Sequence, residues 1–195
     1  EMLIEENGLK PDVFKRWMFC QGMLFKSPDK WWGDHGFRDF PHEGIDLCQY
    51  EDDSGTIRRL DHTTRIPVMH DGEVRAIFKD YLGQAMIIEH KHPAGISENF
   101  LSVYAHTKPI SGIEVGAGVK RGDIIATIAD TSHSKANILP HLHFSLGIPS
   151  KNLSYEGFVW NVMRDPEMVT LVDPLAVIDR PHYELNAESP ECREI

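Results

Sequence analysis

Several features are scarce in this sequence, and each scarcity excludes something. Basic residues are outnumbered, 20 Lys and Arg against 30 Asp and Glu, and the formal net charge is -10 at pH 7. Such a chain presents no basic stripe for nucleic acid and no bulk attraction to an anionic surface. No apolar run is long enough to span a membrane. The three cysteines, Cys20, Cys48 and Cys192, form no close metal-type pair, and an odd count is not a disulfide framework. One bridge with one free thiol and three buried thiols are both open. There is no internal repeat and no low-complexity segment. The chain starts at Glu1 with no visible signal peptide, which reads as a mature or trimmed form.

What is present is a core and many histidines. The 195 residues fit one domain with extensions, and 41% apolar content can supply a real interior. Residues 1–36 read as an irregular N-terminal segment, with a mixed apolar pattern from Lys10 to Phe25 that predicts a short helix after Pro11. Trp31 and Trp32 follow in a turn-rich stretch, either packed or lining a groove. Residues 37–149 read as a β-rich core. Glu51 to Arg65 is a polar loop insertion. Ile66 to Met69 leads into His70-Asp71-Gly72, a hairpin-type turn. Val74 to Phe78, Ala85 to Glu89, Leu101 to Ala105 and Ile124 to Ile128 are strands. Many short strands with turns between them predict a mainly β fold, a compact antiparallel core of open sandwich or barrel-sandwich type. Residues 150–195 read as a C-terminal extension packing on that core. They include a short helix around Phe158 to Met163, a strand before Asp173-Pro174-Leu175, and a loose acidic tail from 180.

The chemistry concentrates in two stretches. Pro140-His141-Leu142-His143-Phe144 alternates as a strand, so His141 and His143 project side by side while Leu142 and Phe144 turn into the core. In His42-Glu43-Gly44-Ile45-Asp46, the flanking Pro41 and Gly44 favour an extended segment, and positions four apart on a strand also share a face. His42, Asp46 and His143 would then make a set of two imidazoles and one carboxylate, which suits zinc with an open fourth position. His42-Glu43-x-x-Asp46 also approaches the zincin motif with Glu43 as base, but that motif needs a helix and Gly44 sits at its centre.

In this order, His42-x-x-x-Asp46, Tyr104-Ala105-His106, Gly116 to Ile125 and Pro140-His141-Leu142-His143 resemble the lysostaphin/LytM-type zinc metallopeptidases across about residues 37–148. Asp173-Pro174-Leu175 looks like that family's closing segment. The resemblance implies zinc ligands at His42, Asp46 and His143, and non-ligand catalytic histidines at His106 and His141, with the general base open between these two. It implies one zinc ion, peptide cross-links of bacterial peptidoglycan as substrate, and a periplasmic or secreted place in the cell envelope. Tyr104 two residues before His106 would share its face on a regular strand and donate to an oxyanion, unless it is a packed aromatic. His133, in the polar loop before the site, is a candidate substrate contact. That loop, from Asp130 to Leu139, lacks the glycines usual in the family. His90-Lys91-His92 is a second His-x-His at a strand end, read as a non-ligand. His70 reads as solvated, and His35, His62 and His182 carry no spacing signal.

Two other readings compete. A catalytically silent relative would bind cell wall or regulate another hydrolase, but no ligand is missing here. A lipoyl-like barrel would account for the Gly and Val pattern of residues 115–128 and leave the histidines unexplained.

Overall fold

A computed structural model describes residues 1–9, 13–91, 99–134 and 138–193. In chain order its strands are β1 (Arg16–Phe19), β2 (Ile45–Leu47), β3 (Gln49–Glu51), β4 (Ile57–Arg59), β5 (Arg65–Pro67), β6 (Gly72–Lys79), β7 (Gln84–His90), β8 (Phe100–Pro109), β9 (Gly118–Val119), β10 (Ile124–Ile128), β11 (Leu142–Pro149), β12 (Val169–Val172) and β13 (His182–Glu184). The helices are short: α1 (Met2–Glu6), α2 (Trp160–Arg164) and α3 (Pro190–Arg193). The fold is mainly β, as the strand and turn pattern predicts.

The larger sheet runs β12-β11-β8-β7-β6-β9, with β2 added on β11 and a β5–β10 pair added on β8. All its pairings are antiparallel. The smaller sheet runs β13-β1-β3-β4. One face of β11 carries Leu142, Phe144 and Leu146 into a core shared with Trp17, Phe19 and Tyr50 of the smaller sheet. The other face lies over a second apolar cluster, where Leu101, Val103 and Ile87 meet Phe158, Met163 and Val169.

Three local expectations give way. The stretch expected as a helix after Pro11 contains β1 instead; residues 10–12 themselves lie outside the described residues. Strand β1 is paired along both edges, with β3 and with β13, and Trp17, Met18 and Phe19 are buried in succession, so both faces are covered and its apolar run carries no helical stripe. The turn His70-Asp71-Gly72 does not close a hairpin. β5 pairs with β10 while β6 pairs with β7 and β9, so the chain crosses over at that point. The tail is not loose either. β13 adds in parallel to β1, and a Cys20–Cys192 disulfide fastens α3 to the end of β1. The polar insertion after Glu51 folds as the β3–β4 hairpin around Asp52, whose Oδ1 accepts from the N–H of Ser54 and Thr56, 2.9 Å each.

The remaining thiol, Cys48, is buried, and burial pushes it up to about 12. A thiol-specific reagent should therefore find no reactive group in the native chain and one after denaturation without reductant; a reactive native thiol, or three after denaturation, would contradict the pairing.

Candidate metal centre

Three strands bring the site together. On β11, His143 lies opposite Asp46 of β2 and opposite Ala105 of β8. His42 approaches from the bend just before β2. That approach requires Gly44: a Cβ there would stand 2.1 Å from the Phe144 carbonyl oxygen and 2.5 Å from Ser145 Oγ. No side chain fits between these backbones.

His42 Nε2 lies 3.1 Å from Asp46 Oδ1 and 2.9 Å from His143 Nδ1, and His143 Nδ1 lies 2.9 Å from Asp46 Oδ1. Among the described residues this is the one group of three or more ligand-type side chains that could hold a metal ion. The donor chemistry fits one. His42 Nδ1 donates to the Leu24 carbonyl at 3.0 Å, and since a carbonyl only accepts, neutral His42 presents a lone pair at Nε2. His143 Nε2 is engaged by Ser145 Oγ at 2.8 Å. One proton on His143 Nδ1 can satisfy only part of this triangle, whereas a cation at its centre satisfies all of it. Ligand atoms about 2.0–2.2 Å from a tetrahedral zinc would be about 3.3–3.6 Å apart, so the triangle needs to open by only a few tenths of an ångström.

Asp46 is held by its other oxygen. Trp31 Nε1–H donates to Oδ2 at 2.6 Å, and Arg38 Nη2 lies 3.5 Å from the same atom. Burial would push the Asp46 carboxyl up. The electrostatic interaction with the neighbouring imidazoles of His42 and His141 and the hydrogen bonds of His143 and His42 overcome this and hold it well below the usual range. His141 goes the other way: burial pushes it down to about 3, so it stands neutral. Its Nδ1 donates to the Leu139 carbonyl at 2.7 Å, and its Nε2 faces Asp46 Oδ1 at 3.9 Å. The indole of Trp31 meets the His141 ring edge-on at 4.9 Å.

His106 completes the group by an irregularity. Its ring lies 4.8 Å from that of His141 and 5.7 Å from that of His143. Strict alternation would put it on the opposite face from Ala105, which shares the His143 side. A bulge between β7 and β8 at this point, with His106 at φ +61°, turns it back. A positive φ costs a non-glycine residue about 1–3 kcal/mol. Asp80 Oδ2 offsets this by accepting from the His106 backbone N–H at 2.7 Å and from Nδ1 at 3.1 Å. Hydrogen bonds to a charged group contribute about 1.5–3 kcal/mol each. Burial would raise the Asp80 carboxyl, but the hydrogen bond and electrostatic interaction with the His106 imidazole and the backbone donors of His106 and Gly83 bring it to about 2.

The same bulge overturns the shared face expected for Tyr104 and His106. Tyr104 lies opposite Phe144, on the core side, and its hydroxyl accepts from the Met69 N–H at 2.9 Å. His133 is exposed in its loop, part of which (135–137) is outside the described residues. His90 is buried, with Nε2 2.6 Å from Ser102 Oγ and Nδ1 3.0 Å from the Asp71 carbonyl; His92 is outside the described residues. Glu43, on no helix, pairs with Arg164. Trp31, Arg38 and Asp80 were not legible as parts of this site, because their contacts cross between elements. Asp80 carried only a turn signal, Asp-x-x-Gly between two strands.

A family model described as peptidase family M23 matches residues 41–154, more than half of the chain. The chain belongs to peptidase family M23. The matched span contains His42, Asp46, His106, His141 and His143, whereas Trp31, Arg38, Trp160 and Arg164 fall outside it. Solved structures of M23 and related peptidases are similar at low identity. The catalytic domain of the prophage-encoded M23 protein EnpA from Enterococcus faecalis is 22% identical, over 62% of this chain and 79% of that one, with a TM-score of 0.40. The catalytic domain of the antimicrobial peptidase lysostaphin from Staphylococcus simulans is 19% identical, over 75% and 86%, at 0.45. A zinc-containing peptidase from Vibrio cholerae is 24% identical, over 70% of this chain and 37% of that one, at 0.43. A comparison with curated proteins finds no match.

Gly44→Ala should force β2 away from β11. We expect a loss of about 1–3 kcal/mol in unfolding free energy, measured by urea denaturation; wild-type stability would mean that the close approach is not tight.

Proposed function

We propose that the protein is a zinc-dependent endopeptidase that hydrolyses peptide cross-links of bacterial peptidoglycan. The observation that carries this reading is the convergence of His42 Nε2, Asp46 Oδ1 and His143 Nδ1 within 3.1 Å of one another, with His106 and His141 on the same side, in a member of family M23. His42, Asp46 and His143 would hold one zinc ion. Bound there, zinc would supply Lewis-acid chemistry, lowering the pKa of water and polarising the scissile carbonyl.

The chain's own groups do the rest. His141, neutral and with Nδ1–H committed to Leu139, offers its Nε2 lone pair toward the cluster and can take a proton there. His106 borders the same space from β8, and its Nε2, once it has taken a proton, can stabilise the developing oxyanion or return that proton to the leaving amine. Trp31 and Arg38 keep Asp46 Oδ2 occupied, which would leave Oδ1 to hold the ion. A place in the bacterial envelope, periplasmic or secreted, agrees with the Cys20–Cys192 disulfide, since such bridges persist in oxidising compartments. Among the described residues no helix is long and apolar enough to cross a membrane.

Two observations favour a catalytically silent domain that binds cell wall or regulates another hydrolase. His42, Asp46 and His141 are each 1% exposed and His143 is 5% exposed. Trp160 also stands edge-on to the His143 ring at 5.2 Å. Digestion of defined cross-linked muropeptides, with products identified by mass, separates the two. We expect one peptide bond to be cut by the zinc-loaded protein, no cutting after chelation, recovery on adding zinc, and a loss of about 100-fold or more for His141→Ala. Zinc bound at one equivalent without cutting would leave the silent reading, and no bound zinc at all would remove both the ion and the mechanism.

The tie between Trp31 and Asp46 is tested separately. Trp31→Phe keeps the packing and removes the indole N–H. Its zinc affinity, measured by competition with a chelator, should fall about 10–100-fold; an unchanged affinity would make Trp31 a packing residue only.

A further inference from the structure

The β6–β7 turn is built around one carboxylate. Asp80 Oδ1 accepts from the backbone N–H of Leu82 at 2.9 Å and of Gly83 at 2.6 Å, and the Asp80 N–H donates to the Gly83 carbonyl at 3.0 Å. Its other oxygen, Oδ2, holds both the backbone and the imidazole of His106. The turn can come this close to β8 because position 83 has no side chain. A Cβ on Gly83 would stand 2.6 Å from the Thr107 carbonyl oxygen and 2.9 Å from Ala129 Cβ. The bulge is closed from the other side as well, where the Ala129 N–H donates to the His106 carbonyl at 2.8 Å. Tyr81, at the tip, is 71% exposed and takes no part in this clamp.

A carboxylate oxygen can only accept, so the proton on the His106 ring in contact with it sits on Nδ1. In the neutral ring Nε2 then carries the lone pair, and among the described residues nothing else bonds to it. The ring is oriented at the same time, because one oxygen grips two donors of the same residue.

We propose that Asp80 is the positioning residue of His106: through the Asp80–Gly83 turn it fixes the tautomer and the pose with which His106 faces the His42, Asp46 and His143 cluster. This rests on the peptidase reading for its catalytic consequence, and on geometry alone for the tautomer. Carboxylate partners set histidine tautomers in this way at other hydrolytic sites, where losing the right tautomer costs far more than losing packing.

The test uses the zinc-loaded chain with ¹⁵N-labelled histidine. Long-range ¹H–¹⁵N spectra report which ring nitrogen of His106 carries the proton, and muropeptide cleavage reports kcat and KM. Wild type should show the Nδ1–H form. Asp80→Ala should shift His106 to mainly Nε2–H and lower kcat by about 10–100-fold, with KM changed by less than about 3-fold and zinc content unchanged. Asp80→Asn is isosteric and guards against a misfolded alanine variant. Its neutral carboxamide accepts more weakly, so a mixed tautomer and a kcat between the other two are expected. A wild-type tautomer in either variant, or a loss of kcat explained wholly by lost zinc or lost folded protein, would overturn the proposal. If wild type itself cuts no muropeptide, the peptidase reading falls, and the spectra still decide whether Asp80 sets the tautomer.

Discussion

The register of β11 is the constraint on which the site depends. Its first half is held between β2 and β8, so that His143 faces Asp46 on one side and Ala105 on the other. A slip by one residue would send His143 into the core and Phe144 into the cluster, because strand side chains alternate. Leu142 and Phe144 on β11, with Ile45 and Leu47 on β2, are buried in one core. Burying each of these contributes about 1.5–3 kcal/mol, and a slip would forfeit most of that while burying imidazole and carboxylate without partners. The apolar residues between the chemical ones thus set the distances between the chemical ones.

This explains how much could be read in advance. The His-x-His strand, the extended His42 to Asp46 segment and most of the strands of the larger sheet follow from alternation and turn residues, which are local signals. The failures are all places where a distant partner decides. Lys10 to Phe25 looked helical, but β1 is claimed on both edges by strands about thirty and more than a hundred and fifty residues away. The acidic tail looked unattached until Cys192 reached Cys20. Tyr104 and His106 should share a face on any regular strand, and only the β7–β8 bulge separates them. A bulge leaves no composition signal in one strand, since it is a relation between two.

The segment after β11 shapes the surroundings. Residues 153–169 lay Phe158, Met163 and Val169 on the face of the sheet that carries His143, and Gly147 allows the contact by leaving room beside Val169. The sheet face next to the cluster is therefore core on that side, not open surface. Where the apolar cover ends, Trp160 meets His143, and Arg164 reaches Glu43 while its guanidinium lies over the Phe40 ring at 4.6 Å. The stretch before β2 and the helix after β11 meet there, so groups outside the span matched to family M23 border the groups within it.

Each side chain of the cluster has an anchor that points it inward. His42 is held by the Leu24 carbonyl, His141 by the Leu139 carbonyl, His143 by Ser145, Asp46 by Trp31 and His106 by Asp80. Two of these anchors are two residues away and travel with their own strand. The other three come from separate segments and must be brought in by folding. Among the four histidines of the cluster only His106 is held by a carboxylate from outside the cluster, and only His106 sits at a positive φ. Within the cluster the two facts belong together. A neutral carbonyl suffices where the strand already aims the ring, as at His141. At the bulge the backbone works against the pose, and a buried carboxylate is needed to hold it. The carboxylate anchor of His106 therefore stands where regular β geometry helps least.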